Sequence, residues 1–377
     1  MCSLLNVLLF HLTAVASLSH PHQSIAAGID IGTSGCRISL LSSTKGPIYS
    51  KSVLFRDIDS SPNAYATPSI WIEGLQRLIS DLPERPTALS ISSTSNSLLH
   101  VDSRTYAPIS VSMYDTSFFQ TLSSAPDKLD EVRLGIKAFL SSQADFYAED
   151  PKVDLQTPFA PTGGVSKVLA MLKLHPPSPH SLIVPQSSFI LNYLLRGSTL
   201  DPIPTADWNN LMKLGYDAVE ESYIDAVQKC LGADAKRLPA GAPTGTFIGT
   251  IPSGSLANCD VYLGSTDSIC AFIGALATAP QQATSAKDLE GLAVTSLGTT
   301  LATKIISSRR VFDGKRGVYS HLVPANVLFD GDISGPTNVW LAGGASQAGC
   351  KVRTCYLRSY EPRSRIADPP IPLADLT

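Results

Sequence analysis

Ile25-Ala-Ala-Gly-Ile-Asp-Ile-Gly-Thr-Ser-Gly-Cys-Arg-Ile-Ser-Leu-Leu41 is the stretch on which the fold turns. Two apolar runs flank Gly32, Thr33, Ser34 and Gly35, and that order predicts a β-hairpin. A glycine-rich turn aims backbone N–H groups at an anion, and Thr33 and Ser34 add hydroxyl donors. Asp30, at the end of the first run, would repel a bare phosphate. Its presence there makes sense with a Mg²⁺ between acid and anion, directly or through water. A plain turn would use the same glycines and aspartate, so the remainder of the chain has to decide.

Two further segments share this character. Thr295-Ser-Leu-Gly-Thr-Thr300 is a second hydroxyl-rich turn, inside a strand–turn–strand pattern over Leu292 to Ile306. Asp260 to Leu263 predicts a strand, followed by Gly264-Ser-Thr-Asp267 and then a helix with Ile269, Phe272, Ile273 and Leu276 on one face. An aspartate in the first helical turn is held as an anion by the helix dipole and the unpaired N–H groups, ready to take a proton from a hydroxyl. Simple capping by Ser265, Thr266 or Asp267 is the competing account. Elsewhere, Ala88 to Ser93 and Leu98 to Val101 predict strands. Val165 to Leu174 and Phe189 to Leu195 predict helices, Pro239 to Pro252 a turn-rich connection, and Ala277 to Ala286 a linker. The mixture predicts an α/β class.

Composition excludes several functions. Charged residues make up 16% of the chain and the net charge is −3, so the basic excess that nucleic acids or anionic membranes require is missing. Cys2, Cys36, Cys230, Cys259, Cys270, Cys350 and Cys355 are scattered and odd in number, which suggests neither a disulfide framework nor a zinc site. Neither a Walker A loop nor a dinucleotide fingerprint occurs. Leu4 to Leu18 has the look of a targeting segment, too short to span a membrane. It leaves cytoplasm and plastid both open as locations.

The order of Asp30-Ile-Gly-Thr-Ser-Gly35, Gly264-Ser-Thr-Asp-Ser268 and Ser296-Leu-Gly-Thr-Thr300 resembles the FGGY carbohydrate kinases, and within them the plant and cyanobacterial ribulokinase- and xylulokinase-like branch. Further segments match in order: Ser92 to Asp102, Ser112-Met-Tyr-Asp115, Asp207-Trp-Asn-Asn-Leu-Met-Lys-Leu-Gly-Tyr-Asp217, Gly245 to Ile251, Tyr319-Ser-His321 and Gly343-Gly-Ala345. The resemblance implies a two-domain actin-like, ribonuclease-H-like fold. It implies ATP and Mg²⁺ as cofactors and a ketopentose as substrate; the sequence leaves the oligomeric state open, with a homodimer as the assembly considered. By the same resemblance Asp267 is the general base and Asp30 the metal residue. Gly32, Thr33, Ser34, Gly298, Thr299 and Thr300 hold the ATP phosphates, and Thr94, Tyr114, Asp115, Asp207 and Asn209 bind sugar.

The sequence departs from the family in two places. Thr116 to Phe119 lacks the arginine that many relatives carry after Asp115. The glycine-rich adenosine segment has no counterpart, and a proline- and arginine-bearing stretch without apolar periodicity stands at 355–377. The expected layout is therefore a targeting segment at 1–24, a first domain at 25–276, a linker at 277–290, a partial second domain at 291–354 and a disordered tail. A catalytically impaired sugar-binding fragment is the alternative that these departures raise.

Overall fold

In a computed structural model the described residues are 24–147, 155–196, 205–278, 289–297, 301–313, 316–328 and 338–346. The leader, most of the linker, the turn 298–300 and the tail lie outside them.

The predicted hairpin is present as β1 (Ile25–Ile31) and β2 (Gly35–Ser42), and β3 (Gly46–Leu54) extends it as an antiparallel meander. The Gly32 N–H donates to Gly35 O at 3.0 Å and closes the turn. α1 (Pro68–Ile79) starts on a proline, which fits the first helical turn because no N–H partner is needed there. Ile70, Trp71, Leu75 and Leu78 bury its apolar face against the sheet. Each large side chain so enclosed contributes about 1.5–3 kcal/mol relative to exposure. β4 (Ala88–Ser93) then runs parallel to β1, buried along its whole length.

β5 (Leu98–Asp102), β6 (Pro108–Ser112) and β7 (Ser181–Pro185) form a small antiparallel sheet in the order β6-β5-β7. Between β6 and β7 come α2 (Phe118–Thr121), α3 (Pro126–Tyr147), α4 (Gln156–Phe159) and α5 (Gly164–Leu174), and α6 (Gln186–Leu194) follows β7. Next are β8 (Thr205–Asp207), α7 (Trp208–Leu211), β9 (Tyr216–Asp217), β10 (Ser222–Tyr223), α8 (Asp225–Leu231), β11 (Ala240–Ala242) and β12 (Phe247–Thr250). The stretch read as a turn-rich connection thus holds two short strands.

β13 (Asp260–Thr266) completes the main sheet, whose order is β12-β13-β4-β1-β2-β3. It runs parallel to β4 and extends three residues beyond the expected Leu263, so Gly264, Ser265 and Thr266 are strand rather than turn. α9 (Asp267–Thr278) begins immediately after it. Then β14 (Ala293–Leu297), β15 (Leu301–Ser307), β16 (Tyr319–Pro324) and β17 (Asn338–Ser346) make a second antiparallel sheet in the order β14-β15-β17-β16.

The sequence layout put α9 with the first domain. Its apolar residues Ile269, Phe272, Ile273 and Leu276 pack with Ile306, Val323, Val339 and Leu341 of the second sheet. The helix leaves the first sheet at its start and enters the second core along its length. A salt bridge also joins the lobes: Arg310 Nη1 lies 2.7 Å from Asp217 Oδ2, with the Arg310 guanidinium over the Trp340 ring.

Candidate active site

The three parallel strands β1, β4 and β13 all end at one edge of the main sheet, and the register aligns their last residues. Asp30 is opposite Ser92, Ile31 opposite Ser93, and Ser93 opposite Thr266. Asp30, Ser92 to Thr94 and Asp267 therefore converge from segments far apart in the chain. Ligand sites of open α/β sheets form at such carboxyl ends. Gly264 makes the approach of β13 to β4 feasible, because a Cβ there would lie 2.0 Å from Ile91 O.

Asp30 accepts the Ser92 hydroxyl on Oδ1 and Arg37 Nη1 on Oδ2, each at 3.0 Å. Burial nevertheless raises its pKa, with Arg37 and Ser92 opposing. Asp267 keeps surface open to the cleft and accepts the Ser268 N–H at 2.7 Å. The helix start by itself favours the anion. Against that, the crowding of the cleft, helped by the charge of Asp30, pushes Asp267 up to about 6. Lys213 and Lys304 pull in the opposite direction.

Those lysines come from opposite lobes. Lys213 lies in the turn Met212–Leu214 after α7, half-buried, and Lys304 is buried on β15. Their Nζ atoms stand 5.9 and 5.5 Å from the centroid of the Tyr319 ring. Lys304 Nζ is 3.1 Å from His321 Nδ1. Burial pushes Lys304 down to about 8 and lowers Lys213, while His321 falls well below its ordinary value. His321 is thus neutral and its Nδ1 accepts from the ammonium. A small cavity beside Lys304 is lined by Ser268, Phe272, Val294, Ser296 and Ala302.

The residues assigned to sugar divide into two kinds. Asp115 is exposed, and Tyr114 is half-buried near Asp115 and Asp267, whose charges add to burial in raising its pKa. Asp207, Asn209 and Thr94 are enclosed. Asp207 caps α7: its Oδ1 accepts the N–H groups of Asn209 and Asn210 and the Ser265 hydroxyl. Its Oδ2 accepts Asn210 Nδ2. With both oxygens occupied, and burial lifting it to about 6, Asp207 is tied to the protein itself. Asn209 Nδ2 also reaches the Ser265 hydroxyl, at 3.2 Å, so this pair braces the strand that delivers Asp267. Thr94 bonds Ser97 and Gln186.

Gly32, Thr33 and Ser34 form the tip of the first hairpin, with Ser34 exposed. Gly298, Thr299 and Thr300 lie outside the described residues, but β14 and β15, which they join, bring Ser296 and Lys304 beside Ser268.

Sequence reasoning missed four basic residues, Arg37, Lys167, Lys213 and Lys304. Arg37 is the register partner of Asp30 across the hairpin. Lys167, fully buried on α5, donates to the carbonyls of Asn96, Met113 and Tyr114 at 2.9, 2.7 and 3.2 Å. Burial pushes it down to about 7, yet three acceptors call for three N–H donors, which only the ammonium has. It fixes the backbone that presents Tyr114 and Asp115. For Lys304 the signal was present: alternation along β15 sets it on the inward face with Ala302 and Ile306.

No family model matches the sequence. Among solved structures, a gluconate kinase from Lactobacillus acidophilus superposes with a TM-score of 0.60 at 15% identity, over 89% of this chain and 62% of that one. A xylulose kinase from Rhodospirillum rubrum gives 0.60 at 15% identity, over 91% of this chain and 65% of its own. A Plasmodium falciparum glycerol kinase with ADP gives 0.61 at 14%, over 89% of this chain and 64% of its own. The chain has the two-domain fold of these structures and spans 62% to 65% of their length.

Proposed function

We propose that this chain is an ATP-dependent carbohydrate kinase that transfers the γ-phosphoryl group to a hydroxyl of a ketopentose, ribulose or xylulose. The observation that carries the reading is the pair of carboxylates, Asp30 and Asp267, at the ends of β1 and β13 in a cleft lined by Lys213 and Lys304. One strand separates the two, so their backbones stand roughly 10 Å apart, enough for a phosphoryl group and its cation. The kinship of fold with a xylulose kinase and other sugar kinases supports the same choice.

In this reading Asp267 takes the proton of the attacking hydroxyl. The sugar oxygen forms its bond to phosphorus as the bond to the ADP oxygen breaks, and ADP leaves with that electron pair. A carboxylate near 6 is ionised at neutral pH and still more basic than an ordinary aspartate, which suits a general base. Tyr114 and Asp115 meet the sugar hydroxyls. Asp207 and Asn209 hold Ser265, and so the start of α9, in position.

Among the described residues no group of three metal-ligating side chains converges. The donor set still fits Mg²⁺, which takes one or two carboxylates with water and substrate phosphates. Asp30 is one such donor, and a cation between it and Asp267 would relieve their mutual repulsion. When bound, that ion spreads the charge of the phosphates.

Asp267→Asn keeps the shape and removes the base. The rate of sugar phosphorylation should fall about 10²-fold or more, with sugar binding by calorimetry nearly unchanged. Turnover within a few-fold of the parent would end the assignment.

A further inference from the structure

We infer that Lys213 and Lys304 form a two-point receptor, assembled from both lobes around the Tyr319 ring, for a tetrahedral oxyanion. On the kinase reading, on which this deepening rests, that oxyanion is the phosphoryl group in transit.

Both lysines carry charge that the protein leaves uncompensated. Lys304 is buried, with 4% of its surface exposed, and Lys213 is half-buried. A buried ammonium is costly unless it is paired. Among the described residues neither lysine has a carboxylate within ion-pair distance, although Asp267 is near enough to act on both. What they share is one aromatic ring, at 5.9 and 5.5 Å from its centroid, which compensates a cation only in part, and Lys304 adds the neutral His321. Lys213 also makes the charge of Lys304 harder to hold. Two ammonium groups held over one ring, without a carboxylate partner, are a site for a doubly charged anion.

The surroundings fit that ligand. His321 is buried and neutral, so its Nδ1 lone pair orients the Lys304 ammonium without taking its proton at neutral pH. The cavity beside Lys304 is walled by Ser268, the neighbour of Asp267, and by Ser296 of the second hairpin. An oxyanion there touches hydroxyl donors as well as Lys304, next to the carboxylate assigned as base. Because the lysines belong to different lobes, the bridging anion also fastens the lobes together.

Inorganic sulfate is a suitable probe, being a tetrahedral dianion across the neutral range. Sulfate affinity is to be measured by calorimetry on the full chain in low-chloride buffer, for the parent, K213M, K304M and D267N. The parent should bind sulfate at one site. Each lysine substitution should weaken binding about tenfold or more, as expected for a lost hydrogen bond to a charged group. D267N should tighten it by removing a repelling carboxylate. Lys304 lies inside a sheet and its variant could fail to fold. K213M, at a half-exposed turn, and D267N, with its opposite sign, keep the test decisive. No sulfate binding by the folded parent, or K213M equal to the parent, would overturn the receptor. Lysine-dependent sulfate binding in a chain without sugar-dependent ATP turnover would uphold the receptor and remove the kinase reading. Turnover with sulfate affinity indifferent to both lysines would do the reverse.

Discussion

Asp267 and Lys304 face one cleft from opposite lobes, and each is displaced toward neutrality for its own reason. For Asp267 the cause is protein crowding and the nearby Asp30, and for Lys304 it is burial and the nearby Lys213. The signs set a pH window. Asp267 is a base only above about 6, so activity should rise with pH through that value. Lys304 is a cation only below about 8, so activity should fall as pH passes it. A profile of kcat/KM against pH should therefore be bell-shaped. In K304R, whose guanidinium stays charged throughout, the alkaline limb should vanish. An alkaline limb that persists unchanged in K304R would detach it from Lys304. At this scale the positions of Asp30 and Asp267 were legible in the sequence because the Gly/Ser/Thr segments beside them are conspicuous. The bases were not. Lys167, Lys213 and Lys304 sit in apolar context, and only the folded chain reveals which carbonyls, rings and carboxylates they face.

Elements were legible where periodicity was strong. The hairpin of β1 and β2, the helix α5 and the strand pair β14 and β15 follow from alternation or helical spacing, and the structure has them. β13 was read three residues short, because Gly264, Ser265 and Thr266 look like a turn. The strand continues since glycine alone lets β13 lie against Ile91 O, and Ser265 turns its hydroxyl to Asp207. Asp207 itself reads as a sugar ligand in the sequence and is a buried N-cap in the structure. Asp207→Ala removes that cap and leaves several internal donors unsatisfied, so it should cost about 1–3 kcal/mol. Thermal melting should show the loss directly, with any fall in sugar affinity accompanying it. Weaker sugar binding at an unchanged melting temperature would make Asp207 a direct ligand instead.

Across the whole molecule, the two-lobed α/β plan was legible from the order of three short segments. The division between the lobes was not. α9 begins on the first sheet yet buries Ile269, Phe272 and Ile273 in the second core, and its own periodicity is indifferent to which sheet receives that face. Asp267 therefore stands at the joint between the two cores. The Arg310 to Asp217 bridge and the lysines around Tyr319 cross the same boundary. The account's central claim is that this joint transfers phosphate to a sugar. ADP release by the full chain should be followed at millimolar Mg-ATP, with no sugar, with D-ribulose and with D-xylulose. The account predicts slow release without sugar, a large acceleration by a ketopentose, and one phosphorylated sugar formed for each ADP. ADP release that is indifferent to both sugars, in a chain that binds them, would contradict it.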